Sequence, residues 1–88
     1  MIIELHSSFK KSYRKRIAPY SHLVAKTEER IVLFTQNPAH PLLQEHALRG
    51  KKLHLRAFSI AGDIRIVYLP IEKDCVLFLD IGTHNQVY

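Results

Sequence analysis

Two residues in this 88-residue sequence, His84 and Arg65, have the type and setting to move a proton and hold an anion. His84 follows Gly82-Thr83, just past the apolar run Cys75 to Ile81, so its side chain is expected to project beyond a strand end. Imidazoles as a class exchange protons near neutral pH, which suits a general acid or base. An ordinary surface histidine after a strand is the plainer alternative. Arg65 interrupts an otherwise apolar strand-like run, where a guanidinium is costly unless it is paired or faces water. Planar, permanently charged and forked, it suits an anion. The alternative is an edge arginine reaching solvent or pairing with Asp63 or Asp80. Asp63, after Gly62, also reads as a turn residue, and His46 as a loop residue. His6, His22 and His40 have no ligand-like spacing, and there is one cysteine, so no metal or other cofactor is expected.

The elements that must position these groups follow from periodicity. Met1 to Leu5 is short and β-branched and reads as a strand. Ser7 and Ser8 offer an N-cap to a first helix, on which Phe9, Tyr13 and Ile17 share a face. Lys10, Lys11, Arg14, Lys15 and Arg16 cover the other side, and Pro19 ends the helix. Ser21 caps a second helix to about Gln36, with an apolar stripe of Val24, Thr27, Ile31 and Phe34 widened by Leu23, Val32 and Leu33. Asn37 to Pro41 breaks it. The period then changes to two: Leu53 to Ile60, Asp63 to Leu69 and Cys75 to Ile81 read as strands. Their connections, Ala61-Gly62 and Pro70 to Asp74, are short enough for an antiparallel meander. The order β-α-α-β-β-β gives an α+β fold, an antiparallel sheet packed against an N-terminal helical pair. The helices should cover one face and leave the other concave, polar and functional.

Length allows one domain, residues 1–88, with a thin stability margin. Apolar residues at 47% and charged residues at 24% are ordinary globular values. One cysteine excludes an internal disulfide framework and fits a reducing, cytoplasmic setting. No apolar stretch of about 18 residues is present, which argues against membrane spanning and export. The net charge of +5, with a pI near 9.6, favours a polyanionic partner, although many small soluble proteins carry such a charge without one.

Four segments in order, His46-Ala-Leu-Arg-Gly50, Arg56-Ala-Phe-Ser-Ile60, Asp63-Ile-Arg-Ile-Val-Tyr68 and Ile81-Gly-Thr-His84, closely resemble the RelE/ParE superfamily, its YafQ-like branch in particular. Phe9-Lys-Lys-Ser-Tyr13 resembles the first helix of these proteins, so the likeness runs through nearly the whole chain. The resemblance implies a toxin neutralised by an acidic antitoxin, with promoter DNA bound only by the toxin–antitoxin complex. In the YafQ-like and RelE-like branches the toxin enters the ribosomal A site and cuts mRNA. The ParE-like branch inhibits DNA gyrase and lacks the nuclease residues.

Metal-independent RNA cleavage needs a base for the 2′-hydroxyl, an acid for the 5′-oxygen and cations around the phosphate. The resemblance gives His84 a proton-transfer role and Arg65 the phosphate. It places His46 and Asp63 in the same cluster. Tyr88, the last residue, stands where the family often has an aromatic able to stack on a base; a frayed terminus is the alternative. Arg49, Lys51, Lys52, His54 and Arg56, with Lys10, Lys11 and Arg14, are expected to meet RNA phosphates without reading sequence, a solvated helix face being the simpler account of the last three. Three positions depart from the pattern: Ser59 where a second histidine is common, Asp80 where many carry an arginine, and Ile64 in place of an aromatic. They leave open a ParE-like or catalytically decayed toxin that binds gyrase or another target, or a chain acting mainly in a repressor complex.

Overall fold

A computed structural model describes residues 1–52 and 54–88. Its elements are β1 (Ile2–Leu5), α1 (Ser7–Arg16), α2 (Ser21–Gln36), β2 (His46–Ala47), β3 (Arg56–Ala61), β4 (Ile64–Glu72), β5 (Cys75–Gly82) and α3 (His84–Val87). Short 3-10 turns at Pro41–Leu43 and Gly50–Lys52 flank β2. The expected order of strand, two helices and three-stranded meander is present. The expectation of a strand from Leu53 falls partly on a residue outside the described ones; Lys51 and Lys52 belong to a turn, and the strand starts at Arg56.

The five strands form one sheet in the order β1-β5-β4-β3-β2. Hairpin links make β3, β4 and β5 antiparallel, but β1 lies parallel to β5, with Ile2 opposite Cys75 and Leu5 opposite Phe78. The sheet is therefore mixed. Short links dictate antiparallel pairing only between successive strands, and both helices intervene between β1 and the meander. β4 also runs on through Pro70 to Glu72, beyond the expected Leu69. Proline is tolerated there because β3 pairs with β4 only as far as Tyr68, so this stretch is an edge on that side.

The helices use the expected faces. Phe9 and Ile17 of the first stripe are buried, as are Thr27 and Phe34 of the second, whereas Val32 is exposed and does not widen it. The caps differ from expectation. His6, not a serine, caps α1, its Nδ1 accepting the Ser8 N–H at 3.0 Å. The Ser8 hydroxyl instead donates to the Leu79 carbonyl at 2.6 Å. Tyr20 precedes α2 without a side-chain cap. β1 ends opposite Phe78, so the last part of β5 has no strand on that side; Ser8 and Arg16, whose Nη1 donates to the Ile81 carbonyl at 3.0 Å, satisfy its carbonyls from α1.

Beneath the helices lies an aromatic core. Phe34 stacks on Phe58 with ring centroids 4.3 Å apart, and Tyr68 and Phe78 pack around the pair. Ile60, Ile66 and Ile81 complete this layer. A smaller cluster of Leu48, Ala57, Val67 and Val87 occupies the opposite face, so that face is not wholly open. It is covered locally by α3 and the segment after β2. No helix among the described residues is long and apolar enough to cross a membrane.

Candidate active site

Arg65 and Val67 share one face of β4, opposite Ile66 and Tyr68, which point into the aromatic core. Ser59, the cross-strand partner of Arg65, is half-buried beside it. At this end of the sheet the chain turns from β5 through Thr83 into the single turn of α3. The Gln86 side chain holds that turn, its Oε1 accepting the Thr83 N–H at 2.8 Å. Thr83-x-x-Gln86 is a recognisable helix-start pattern, and it is the signal that could have found α3 in the sequence.

Asp63 ties the turn before β4 to α3. Its Oδ2 accepts the backbone N–H of His84 at 3.1 Å, and its Oδ1 accepts from Arg65 Nη2 at 3.0 Å. Both carboxylate oxygens are thus engaged in positioning neighbours. Held this way, the Arg65 guanidinium lies over the Tyr88 ring, 5.5 Å from its centroid, and the His84 ring meets Tyr88 edge-on at 4.5 Å. Tyr88 is half-buried in this packing, and its hydroxyl is buried without a hydrogen-bond partner among the described residues. Arg65, Asp63, His84 and Tyr88 therefore form one connected cluster.

Beside the cluster a cleft of about 370 Å³ is lined by His46, Ala47, Leu48, Arg49, Lys52, His84 and Tyr88. The structure brings His46 to it on β2, a two-residue strand whose His46 pairs with Ala57, where the sequence suggested a loop. The His46 Nδ1 lies 2.9 Å from the Gln44 carbonyl oxygen. A carbonyl can only accept, so Nδ1 carries the proton and Nε2 is left to exchange one. Gln44 adopts a left-handed backbone, φ 48°, that turns this carbonyl back toward the ring. Lys52 donates to the Val87 carbonyl at 3.2 Å and so fastens the cleft wall to α3. Two imidazoles and two cations around one cleft can transfer protons to and from an anionic substrate.

Glu45, next to His46, is the positioning residue that sequence reasoning missed. Arg56 donates to it in a fork, with Nη2 to Oε1 at 2.9 Å, and the Tyr68 hydroxyl donates to its Oε2 at 2.6 Å. Burial pushes the Glu45 carboxyl up, but the Arg56 and Tyr68 hydrogen bonds outweigh it and hold the group below the ordinary carboxylate value. Burial, then the bond to Glu45, raises the Tyr68 phenol well above its usual range. Nothing in local sequence marks a bond spanning 23 residues.

The basic residues divide. Arg49 and Lys52 line the cleft; Lys51 and His54 are exposed and do not. Arg56, expected to meet RNA, is opposite Tyr68 on the helix-covered face and is spent on Glu45, because Arg56 and His46's partner Ala57 alternate across the strand. Lys10, Lys11 and Arg14 lie on α1 and take no part in lining the cleft. Asp80, which stands where many of the family carry an arginine, is paired with Arg16 at 3.3 Å and not with Arg65, and it accepts the Ile81 N–H. Among the described residues, no three histidine, cysteine, aspartate or glutamate side chains gather as a metal-binding set.

No family model matches the chain, and no curated protein does. Solved structures do. A toxin from Helicobacter pylori, crystallised as a copper-bound mutant, is 28% identical over 100% of this chain and 99% of that one, with a TM-score of 0.76. YafQ from E. coli strain BL21(DE3) is 20% identical over 98% and 96%, at 0.79. YafQ in the E. coli DinJ-YafQ toxin-antitoxin complex is 19% identical over 98% and 94%, at 0.71. The fold is that of the RelE/YafQ type of toxins, over 96–98% of this chain.

Proposed function

We propose that this chain, as one domain over residues 1–88, is the toxin of a type II toxin–antitoxin pair and cleaves mRNA in the ribosomal A site without a metal. The observation that carries the reading is the convergence of His46, His84, Arg49 and Lys52 on one cleft, beside the Asp63-Arg65-Tyr88 cluster. The fold it shares with YafQ, and with a YafQ that was crystallised with DinJ, supports the toxin class and an antitoxin as partner. A net charge of +5 suits both an acidic protein and RNA.

In this mechanism His46 Nε2 takes the proton of the 2′-hydroxyl, whose oxygen attacks the adjacent phosphorus. His84 delivers a proton to the departing 5′-oxygen, leaving a 2′,3′-cyclic phosphate that hydrolyses to a 3′-phosphate. Arg65 and Lys52 stabilise the charge gained by the phosphate, and Tyr88 stacks beside the reacting nucleotide. Asp63 is a positioning residue for Arg65 and His84. The toxin acts in the cytoplasm, where ribosomes are, and binds promoter DNA only with its antitoxin. Primer extension on mRNA from cells expressing the chain tests the proposal: codon-phased cuts are expected, and their loss in His84→Ala. Gyrase-dependent DNA breaks with intact mRNA would replace the reading with a ParE-like one.

A further inference from the structure

A larger cavity, about 490 Å³, lies beside the ridge formed by the start of β4 and the β5–α3 junction. Ile64 lines it, whereas Arg65, the next residue, faces the Tyr88 cluster; Thr83 lines it, whereas His84 lines the cleft. The two cavities are thus neighbours across the same two short segments, one of which carries the candidate proton donor.

The lining of this second cavity is of mixed chemistry and contains no carboxylate. Tyr20, held between the two helices, presents a ring side chain at 52% exposure, and Ile64 supplies an apolar surface. Lys15 is exposed and forms no ion pair among the described residues. Arg16 makes its bonds to Asp80 and Ile81 from Nη1 alone, so its other nitrogens remain for a ligand. Gly82 lets Arg16 and Gln86 close in: a Cβ there would fall 2.8 Å from Arg16 Nη1 and 2.6 Å from Gln86 Oε1. An aromatic face, an apolar floor, a lysine outside any ion pair, an arginine with nitrogens to spare and an amide are what a base and its phosphate require together.

We infer that this cavity is a second nucleotide subsite. The RNA strand whose scissile phosphate occupies the cleft continues over Thr83 and His84, and a flanking nucleotide sets its base against Tyr20 and its phosphate against Lys15 and Arg16. The inference rests on the RNA-cleaving reading and extends it to a strand bound on both sides of His84.

Fluorescence anisotropy with a labelled, uncleavable 2′-O-methyl hexanucleotide at low salt separates the two claims. Tyr20→Ala is expected to weaken binding about 5- to 150-fold, the range for losing one base–aromatic stack, while Tyr20→Phe retains it. Lys15→Ala should weaken binding and reduce the slope of log affinity against log salt by about 0.7, one phosphate's share. If Tyr20→Ala and Lys15→Ala bind as the parent does while Lys52→Ala binds more weakly, RNA occupies the cleft alone and the subsite is overturned. If no variant, Lys52→Ala included, alters the affinity, the RNA reading falls and the subsite with it.

Discussion

The two faces of the sheet solve different problems. Under α1 and α2, Phe9, Phe34, Phe58, Tyr68 and Phe78 fill a continuous aromatic layer, and Phe34, Phe58 and Phe78 are fully buried. Among the described residues the opposite face buries Leu48, Ala57, Val67 and Val87, a smaller cluster with polar groups at its margin. The first face holds the molecule together. The second uses short devices, a two-residue strand, a left-handed Gln44 and a single helical turn, to set side chains around a cleft. The packed core and the candidate site are thus separable by face, and the Glu45-Arg56-Tyr68 network joins them.

The largest effect should come from the packed face. Phe58→Ala is expected to cost about 3–5 kcal/mol, measurable by chemical denaturation, since it opens a cavity beneath Phe34. A loss under about 1 kcal/mol would break the division. On the other face, the proposed mechanism predicts that His84→Ala slows mRNA cleavage about 10²–10⁴-fold, and thermal unfolding should be nearly unmoved because the residue is exposed. Comparable losses of stability and cleavage would mean that His84 holds structure.

Glu45→Ala tests the join. It strands Arg56 and the Tyr68 hydroxyl, and because Arg56 is partly solvated the cost should be about 1–2 kcal/mol, with cleavage falling as the His46 segment loosens. The parent protein carries the matching pH signature. The folded Glu45 carboxyl lies below its ordinary value of 4.5, so its stabilisation is complete above 4.5 and is lost as pH falls through the lower folded value. Unfolding curves of parent and Glu45→Gln should converge over that acid window; parallel curves would remove the ion pair from the account. The smallest effect belongs to Val32→Lys on exposed α2 surface, expected within about 0.5 kcal/mol of the parent.

Much of the packed face was legible in the sequence because burial imposes a period. The Phe9-Tyr13-Ile17 and Thr27-Phe34 stripes, and the alternation through Ile64, Ile66 and Tyr68, each declare a core side. The candidate site was legible in its residue types: His84, Arg65, His46, Asp63 and Tyr88 could be singled out by chemistry and by resemblance. Their arrangement was not. That Asp63 spends one oxygen on Arg65 and the other on the His84 backbone depends on two turns meeting in space.

The sequence by itself determined the two long helices, the first strand and the three-stranded meander, the helix-covered face and a set of candidate groups for proton transfer, because periodicity and side-chain chemistry are local properties. Tertiary structure decided the parallel placement of β1, the removal of Arg56 from the cleft to Glu45, and the gathering of His46 and His84 around one cleft. Those outcomes turn on strand register and on contacts between residues far apart along the chain. A one-residue step in a strand changes the face a side chain occupies, and only the assembled sheet fixes which face that is.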